Sequence, residues 1–275
     1  MRSRRTWTLG FTLTELLVVM GIMAILAVMT AIGVRRVSRD ARMSNAINTV
    51  VAALTNARAL AIQSHTPTML MFTADFDPEG QTQQTKLVIA KSSGVFDIVD
   101  GQGNLIVEKF VPIEGIESQL LPEGIKVAGP KLYLDQIEAD DDTWVTQPDF
   151  TNSETGMQLA IMFAADGRVI TRNQSLDDGR NYAYVDLNNN LVEDIGSTGG
   201  SDRYWRFDEP DDESNVIFVR FLSIFDDDDC RDRFDETYWT NNWQNQQIGQ
   251  TEYINQYGQM INFNYYSGVA KVVSR

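Results

Sequence analysis

Glu15 is a carboxylate at the head of a run that stays uncharged over residues 16–34. A charge in so apolar a setting is expensive, about 2.5–3.5 kcal/mol at the centre of a hydrocarbon layer on insertion scales, and it calls for a partner. A second constellation places oxygen side chains at Asp186, Asn188 and Asn190, with Asp194 further on. This spacing matches the start of an EF-hand-type calcium loop. The match is partial, because Leu191 stands at the glycine position and Ser197 at the closing glutamate position. The competing reading is a loop of Asx turns between strands. The chain has one histidine, His65, and one cysteine, Cys230. These cannot build a nucleophilic triad or a zinc set. A single cysteine also forms no internal disulfide, and it reads as a small buried apolar residue. The acidic runs at 140–142, 208–213 and 226–229 read as surface loops.

The elements that must position these residues follow from pattern. No proline occurs over residues 11–66. Beyond the apolar run, Val37, Ala41, Ile47, Val50, Val51, Leu54, Ala57 and Ala61 recur mostly at three- and four-residue steps, the face of an amphipathic helix. The spacing predicts a helix over 11–64, roughly 80 Å long at 1.5 Å per residue. It should end before Pro67, with His65 at its C-terminus. Short β-branched or apolar runs follow at 68–73, 87–90, 105–111, 125–127 and 131–134. Runs at 157–163 and 168–171 flank Asp166-Gly167, a strong hairpin signal. The run 216–225 reads as one central strand buried on both faces. A terminal hairpin is expected from 261–266 and 269–273 around Ser267-Gly268. Residues 135–155 and 174–214 read as long insertions.

The N-terminal segment carries a resemblance. Arg2, Arg4 and Arg5 precede Gly10-Phe11-Thr12-Leu13-Thr14-Glu15 and the apolar run. This stretch resembles the processing signal of type IV prepilins and type II secretion pseudopilins. The resemblance implies that a prepilin peptidase cuts after Gly10 and N-methylates Phe11, and that Glu15 guides subunit docking. Residues 54–62, with Ala57-Arg58 and Ala61-Ile62 ahead of a strand, look like the helix end of the GspH/FimT family. Phe163 and Asp166-Gly167-Arg168 resemble that family's hairpin. The implied fold is α+β: a long N-terminal helix packed on a β-sandwich-like C-terminal domain. The implied organisation is a cytoplasmic leader (1–10), a transmembrane and assembly helix (11–34), its amphipathic continuation (35–65) and a β-rich periplasmic domain (66–275). The implied location is the inner membrane, single-pass, in a pseudopilus or pilus.

The expected function is that of a non-enzymatic minor pseudopilin of a type II secretion system, with the prepilin peptidase and other pseudopilins or pilins as partners. A minor type IV pilin in adhesion or DNA uptake is the alternative within the class. A membrane-anchored hydrolase or sugar-binding domain using Trp239, Trp243, Tyr253 and Tyr257 is the alternative outside it. Charge separates some of these. The chain carries 23 basic and 38 acidic groups, net −15. Loss of residues 1–10 removes three arginines and no acid, which leaves −18. Free nucleic acid is bound through a basic footprint that releases counterions, so no nucleic-acid partner is expected. The processing signal generates a first test. Mass spectrometry of the chain from cells with active prepilin peptidase should show an N-terminus at N-methylated Phe11, and Gly10→Val should abolish it. An intact Met1 terminus under those conditions would contradict the resemblance.

Overall fold

The computed structural model describes residues 13–76, 83–98, 106–130, 144–147, 158–171, 182–187, 216–233, 243–264 and 266–273. The chain divides into two compact units, Met1–Arg42 and Met43–Arg275. Helix α1 runs Leu13–Ser64. It stops where Pro67 forbids continuation, and His65 adopts a left-handed φ of 53° at the exit. That is the usual way for a helix to close its last carbonyls, and histidine tolerates it better than bulky residues do.

The second unit is built on two sheets. The strands of the first are β1 (Thr68–Phe76), β2 (Gln83–Ile98), β3 (Ile106–Pro112), β4 (Gln119–Leu120), β7 (Gln158–Phe163), β8 (Val169–Ile170), β9 (Tyr182–Val185) and β10 (Val216–Phe218). They form an eight-stranded sheet with the path β10-β7-β1-β2-β3-β9, with β4 beside β2 and β8 beside β7. It is mixed, because β10 runs parallel to β7 and β9 parallel to β3. The second sheet contains β5 (Ile125–Pro130), β6 (Trp144–Gln147), β11 (Phe221–Asp226), β12 (Gln259–Phe263) and β13 (Ala270–Val273). Its order is β13-β12-β11-β5-β6, antiparallel throughout. Among the described residues, the unit also holds two further helices, α2 (Asp227–Arg233) and α3 (Trp243–Tyr257).

One core joins the helix to both sheets. Ala46, Val50, Ala53, Leu54, Ala57 and Ala61 of α1 pack with Leu70 and Phe72 of β1, Leu159, Ile161 and Phe163 of β7, Val127 of β5, and Leu222 and Ile224 of β11. The opposite face of the first sheet buries Met69, Met71, Val88, Phe110, Met162 and Phe218. This sheet is therefore covered on both sides, which accounts for its nearly continuous apolar strands.

The architecture corrects the sequence expectation in two respects. Among the described residues, no helix is long and apolar enough to cross a membrane. A span needs about 20 consecutive apolar residues. The part of the run whose side chains are described without a break, 13–27, has fifteen residues with Glu15 among them. The assignment of 11–34 as a transmembrane helix, and with it the single-pass inner-membrane location, is overturned by this finding. The second correction concerns the expected long helix packed on a β-sandwich-like domain. A mixed eight-stranded sheet and a five-stranded sheet share their core with the α1 stretch over 46–61, so helix and strands fill one interior.

The run 216–225 also departs from expectation. It divides between the sheets: β10 pairs with β7, and β11 pairs with β5 and β12. The break falls at Val219-Arg220, where Val219 is buried and Arg220 is exposed. Its guanidinium Nε donates to Thr171 Oγ1 at 3.1 Å. An arginine cannot be buried unpaired, so the strand turns to release it and re-enters the interior on the other sheet. The expected strand at 131–134 lies outside the described residues, as does most of 135–155 and 174–214. Within those two ranges, β6 and β9 each add an edge strand.

Burial predicts stability here. Leu54→Ala removes a fully buried side chain at the helix–sheet contact and should lower the unfolding free energy by about 2–5 kcal/mol. Val37→Ala, at an exposed position of the same helix, should change it by less than about 0.5 kcal/mol. Urea titration followed by tryptophan fluorescence compares them. Equal effects would contradict the placement of residues 46–61 in the core.

Candidate functional site

Gly10 and Phe11 lie outside the described residues. Glu15 sits in the first turn of α1 and is exposed. Around it the helix is apolar on every side. Leu16, Leu17, Val18, Val19 and Met20 are consecutive, so they sweep more than a full turn, and all are exposed. The large apolar side chains from Leu13 to Met29 that are described are between 47% exposed, at Val19, and 80% exposed, at Leu13. Thr14, Glu15, Val18 and Val19 line a shallow recess on this surface. A helix that is apolar all round is normally covered on all sides. In the first unit these side chains present an uncovered apolar surface with one carboxylate near its start.

The calcium constellation is only partly described. Asp186 closes β9, is buried, and its backbone N–H donates to Phe110 O at 2.9 Å. Its carboxylate is ion-paired with the ammonium of Lys109, which is buried with it. That carboxylate is already compensated by an internal cation, and a metal would have to compete with it. Asn188, Asn190 and Asp194 lie outside the described residues. Among the described residues, no group of three or more His, Cys, Asp and Glu could hold a metal ion. His65 is exposed at the helix exit.

Three segments singled out by sequence pattern meet at one place. Arg58, on the exit half of α1, donates through Nε to Gly167 O at 3.1 Å and to Ser267 O at 2.7 Å. Gly167 is the turn of the β7–β8 hairpin, and Ser267 is the turn of the β12–β13 hairpin. Both turns are tightly built. Gly167 N–H donates to Ala164 O at 2.8 Å, and Asp166 Oδ1 accepts from Arg168 N–H at 3.0 Å. The hydrogen bond from Arg168 N–H, and next that from the Arg168 side chain, hold the Asp166 carboxyl below the usual carboxylate range. In the other turn, Asn264 Oδ1 accepts from the N–H groups of Tyr266 and Ser267, both at 3.0 Å. Both glycines take a left-handed φ, and at Gly268 space requires glycine as well. Gly167 has φ 82°, and a Cβ there would come within 2.7 Å of Ile62 Cδ1. Gly268 has φ 64°, and a Cβ there would run into the Gly167 carbonyl.

A second polar centre went unrecognised in the sequence. The 226–229 run, expected as a surface loop, forms the end of β11 and the start of α2, with Asp226, Asp227 and Asp229 buried. Asp226 Oδ1 caps the helix by accepting from Asp229 N–H at 3.0 Å. Asp227 pairs with Lys126 at 3.0 Å and Arg231 at 2.9 Å. Asp229 accepts from Arg233 at 2.8 Å and from the Tyr253 hydroxyl at 2.6 Å. The Arg233 guanidinium lies 4.1 Å from the Tyr257 ring centroid. Burial and the hydrogen bond to Asp229 push the Tyr253 hydroxyl well above the ordinary phenol range. The i,i+4 spacing of Asp227 with Arg231 and of Asp229 with Arg233 was the available signal for a helix. Of the aromatic group, Trp239 lies outside the described residues and nothing is described of the Trp243 side chain. Tyr253 is buried against Phe225, and Tyr257 is stacked beside it.

No protein-family model, no curated protein and no solved structure matches the chain.

Cys230 provides a test of this centre. Burial first, and the neighbouring Asp227 next, push its thiol up to about 12. A thiol raised on folding contributes its full stability below the ordinary thiol range, and loses it as pH climbs from about 9 toward about 12. The folded chain at pH 8 should therefore resist a thiol reagent, while the urea-unfolded chain reacts at once. Rapid labelling of the folded chain would contradict the buried placement.

Proposed function

We propose that this chain is a non-enzymatic filament subunit of the prepilin and pseudopilin class, most like a minor pseudopilin of a type II secretion system. The observation that carries the reading is the uncovered apolar surface of α1 over Leu13–Met29, with Glu15 near its start. Contiguous exposed apolar area of this kind marks an interaction site. Equivalent helices of other subunits would cover it. In this reading the leader is cut after Gly10, Phe11 becomes an N-methylated terminus, and the prepilin peptidase and fellow pseudopilins or pilins are the partners. Glu15 would pair with the Phe11 amine of a neighbour. A buried pair is worth little net once desolvation is counted, but a subunit in the wrong stagger leaves a charge unpaired, which costs several kcal/mol. The pair therefore acts as a register device. Net charge favours a secretion-type subunit over a DNA-binding pilin, because the chain offers excess acid to a polyanion.

Glu15→Leu tests this reading. The variant should be processed and folded like the parent, yet lose crosslinks to partner subunits by tenfold or more. Crosslinking and secretion at parental level would show that docking does not depend on this charge.

A further inference from the structure

Arg58 contacts more than a neighbouring loop. Its two acceptors belong to different sheets: Gly167 lies on the β7–β8 hairpin of the eight-stranded sheet, and Ser267 on the β12–β13 hairpin of the five-stranded sheet. The side chain itself belongs to α1, so a single Nε–H joins the helix to both sheets of the second unit. Around it there is little slack. Ile62, one turn further along α1, sits where a Cβ on Gly167 would be, and Gly268 lies directly against the Gly167 carbonyl. Both hairpin turns are tied by hydrogen bonds of their own. Gly268 N–H donates to Asn264 O at 2.7 Å, Asn264 N–H donates to Val269 O at 3.0 Å, and Ala164 N–H donates to Arg168 O at 2.8 Å. A rigid turn passes on a displacement that a loose one would absorb.

We propose that Arg58 is a three-way latch through which a displacement of α1 reaches both sheets together. Sliding the helix by one turn would bring Leu54 or Ile62 to the two carbonyls, and neither can donate a hydrogen bond. The two turns would lose their shared donor in one step. The latch thus has two discrete states, engaged and released, with no continuous range between them. Its use rests on the filament reading: a subunit pulled by its helix would carry the load into both sheets through a directional contact, which apolar packing, being non-directional, does not supply. Arg58 is a positioning residue in this scheme and touches no partner.

Hydrogen exchange of the full chain, kept in solution with a mild detergent, tests the latch without requiring assembly. In Arg58→Met, amides of the 164–168 and 264–269 turns should exchange at least tenfold faster, together, while β1 and β2 keep parental protection. Arg58→Lys, which retains a charged donor on a flexible stem, should restore part of the protection in both turns. Asn264→Ala supplies a variant that leaves the helix untouched. It loosens the 264–269 turn directly, and the latch requires 164–168 to loosen with it while Arg58 is present. In Arg58→Met combined with Asn264→Ala, that second effect should vanish. Loosening of one turn alone, or of neither, would overturn the latch. Because this readout uses the unassembled chain, such a failure leaves the Glu15 result standing, and a failed Glu15 result leaves this one standing.

Discussion

The second unit depends on a narrow helix face. Ala46, Val50, Ala53, Leu54, Ala57 and Ala61 are the fully buried α1 residues of the core, and four of the six are alanine, with Met43, Ile47, Val51 and Leu60 packed along its margins. Small side chains let strands from two sheets approach the same helix, and the larger Phe72, Phe163, Leu159 and Leu222 come from the sheets to fill the space. The interior is close-packed only if both sides hold to this division. Bulk on the helix would drive the sheets apart. Beyond this face, α1 is anchored by a polar contact. The Arg58 guanidinium supplies direction and register, which apolar packing, being non-directional, cannot.

Much of this was legible in the sequence, and the reasons are local. The helix exit at Ser64 is set by Pro67 two residues past His65. The Asp166-Gly167 and Ser267-Gly268 turns demand left-handed backbone, and both are found with φ near 82° and 64° at the glycines. The runs expected as strands at 68–73, 105–111 and 261–266 need only alternation or β-branching to be seen, and strands are found at Thr68–Phe76, Ile106–Pro112 and Gln259–Phe263. What could not be read is non-local. That Arg58 joins two turns 109 and 209 residues away follows from the packing of two sheets, which no window of sequence contains. The division of 216–225 between sheets was hidden by a run of apolar residues that looked continuous, when one arginine in its middle was the marker. The parallel β3–β9 pairing depends on a crossover that leaves no local signature.

The acidic runs teach a related lesson. A run of four aspartates looks like solvated surface because an isolated buried carboxylate is prohibitive. Here each of the buried members finds a cation, a hydroxyl or a helix N–H. Lys126 comes from β5, Tyr253 from α3, and Arg231 and Arg233 from the same turn of α2. Likewise Asp186, considered as a calcium ligand, is met from β3 by Lys109. Lys109 and Lys126 are largely buried beside the carboxylates they neutralise, whereas Arg231 and Arg233 reach theirs from the surface.

The proposed assembly requires that the apolar surface at the start of α1 be covered by the same surface of other subunits. A photoreactive amino acid in place of Met20 tests it most directly. Irradiated in cells that express the assembly, it should yield crosslinked species in which mass spectrometry finds the 12–34 segment joined to the corresponding helix of another subunit. Crosslinks confined to the chain's own residues or to unrelated molecules, with no helix-to-helix product, would contradict the account.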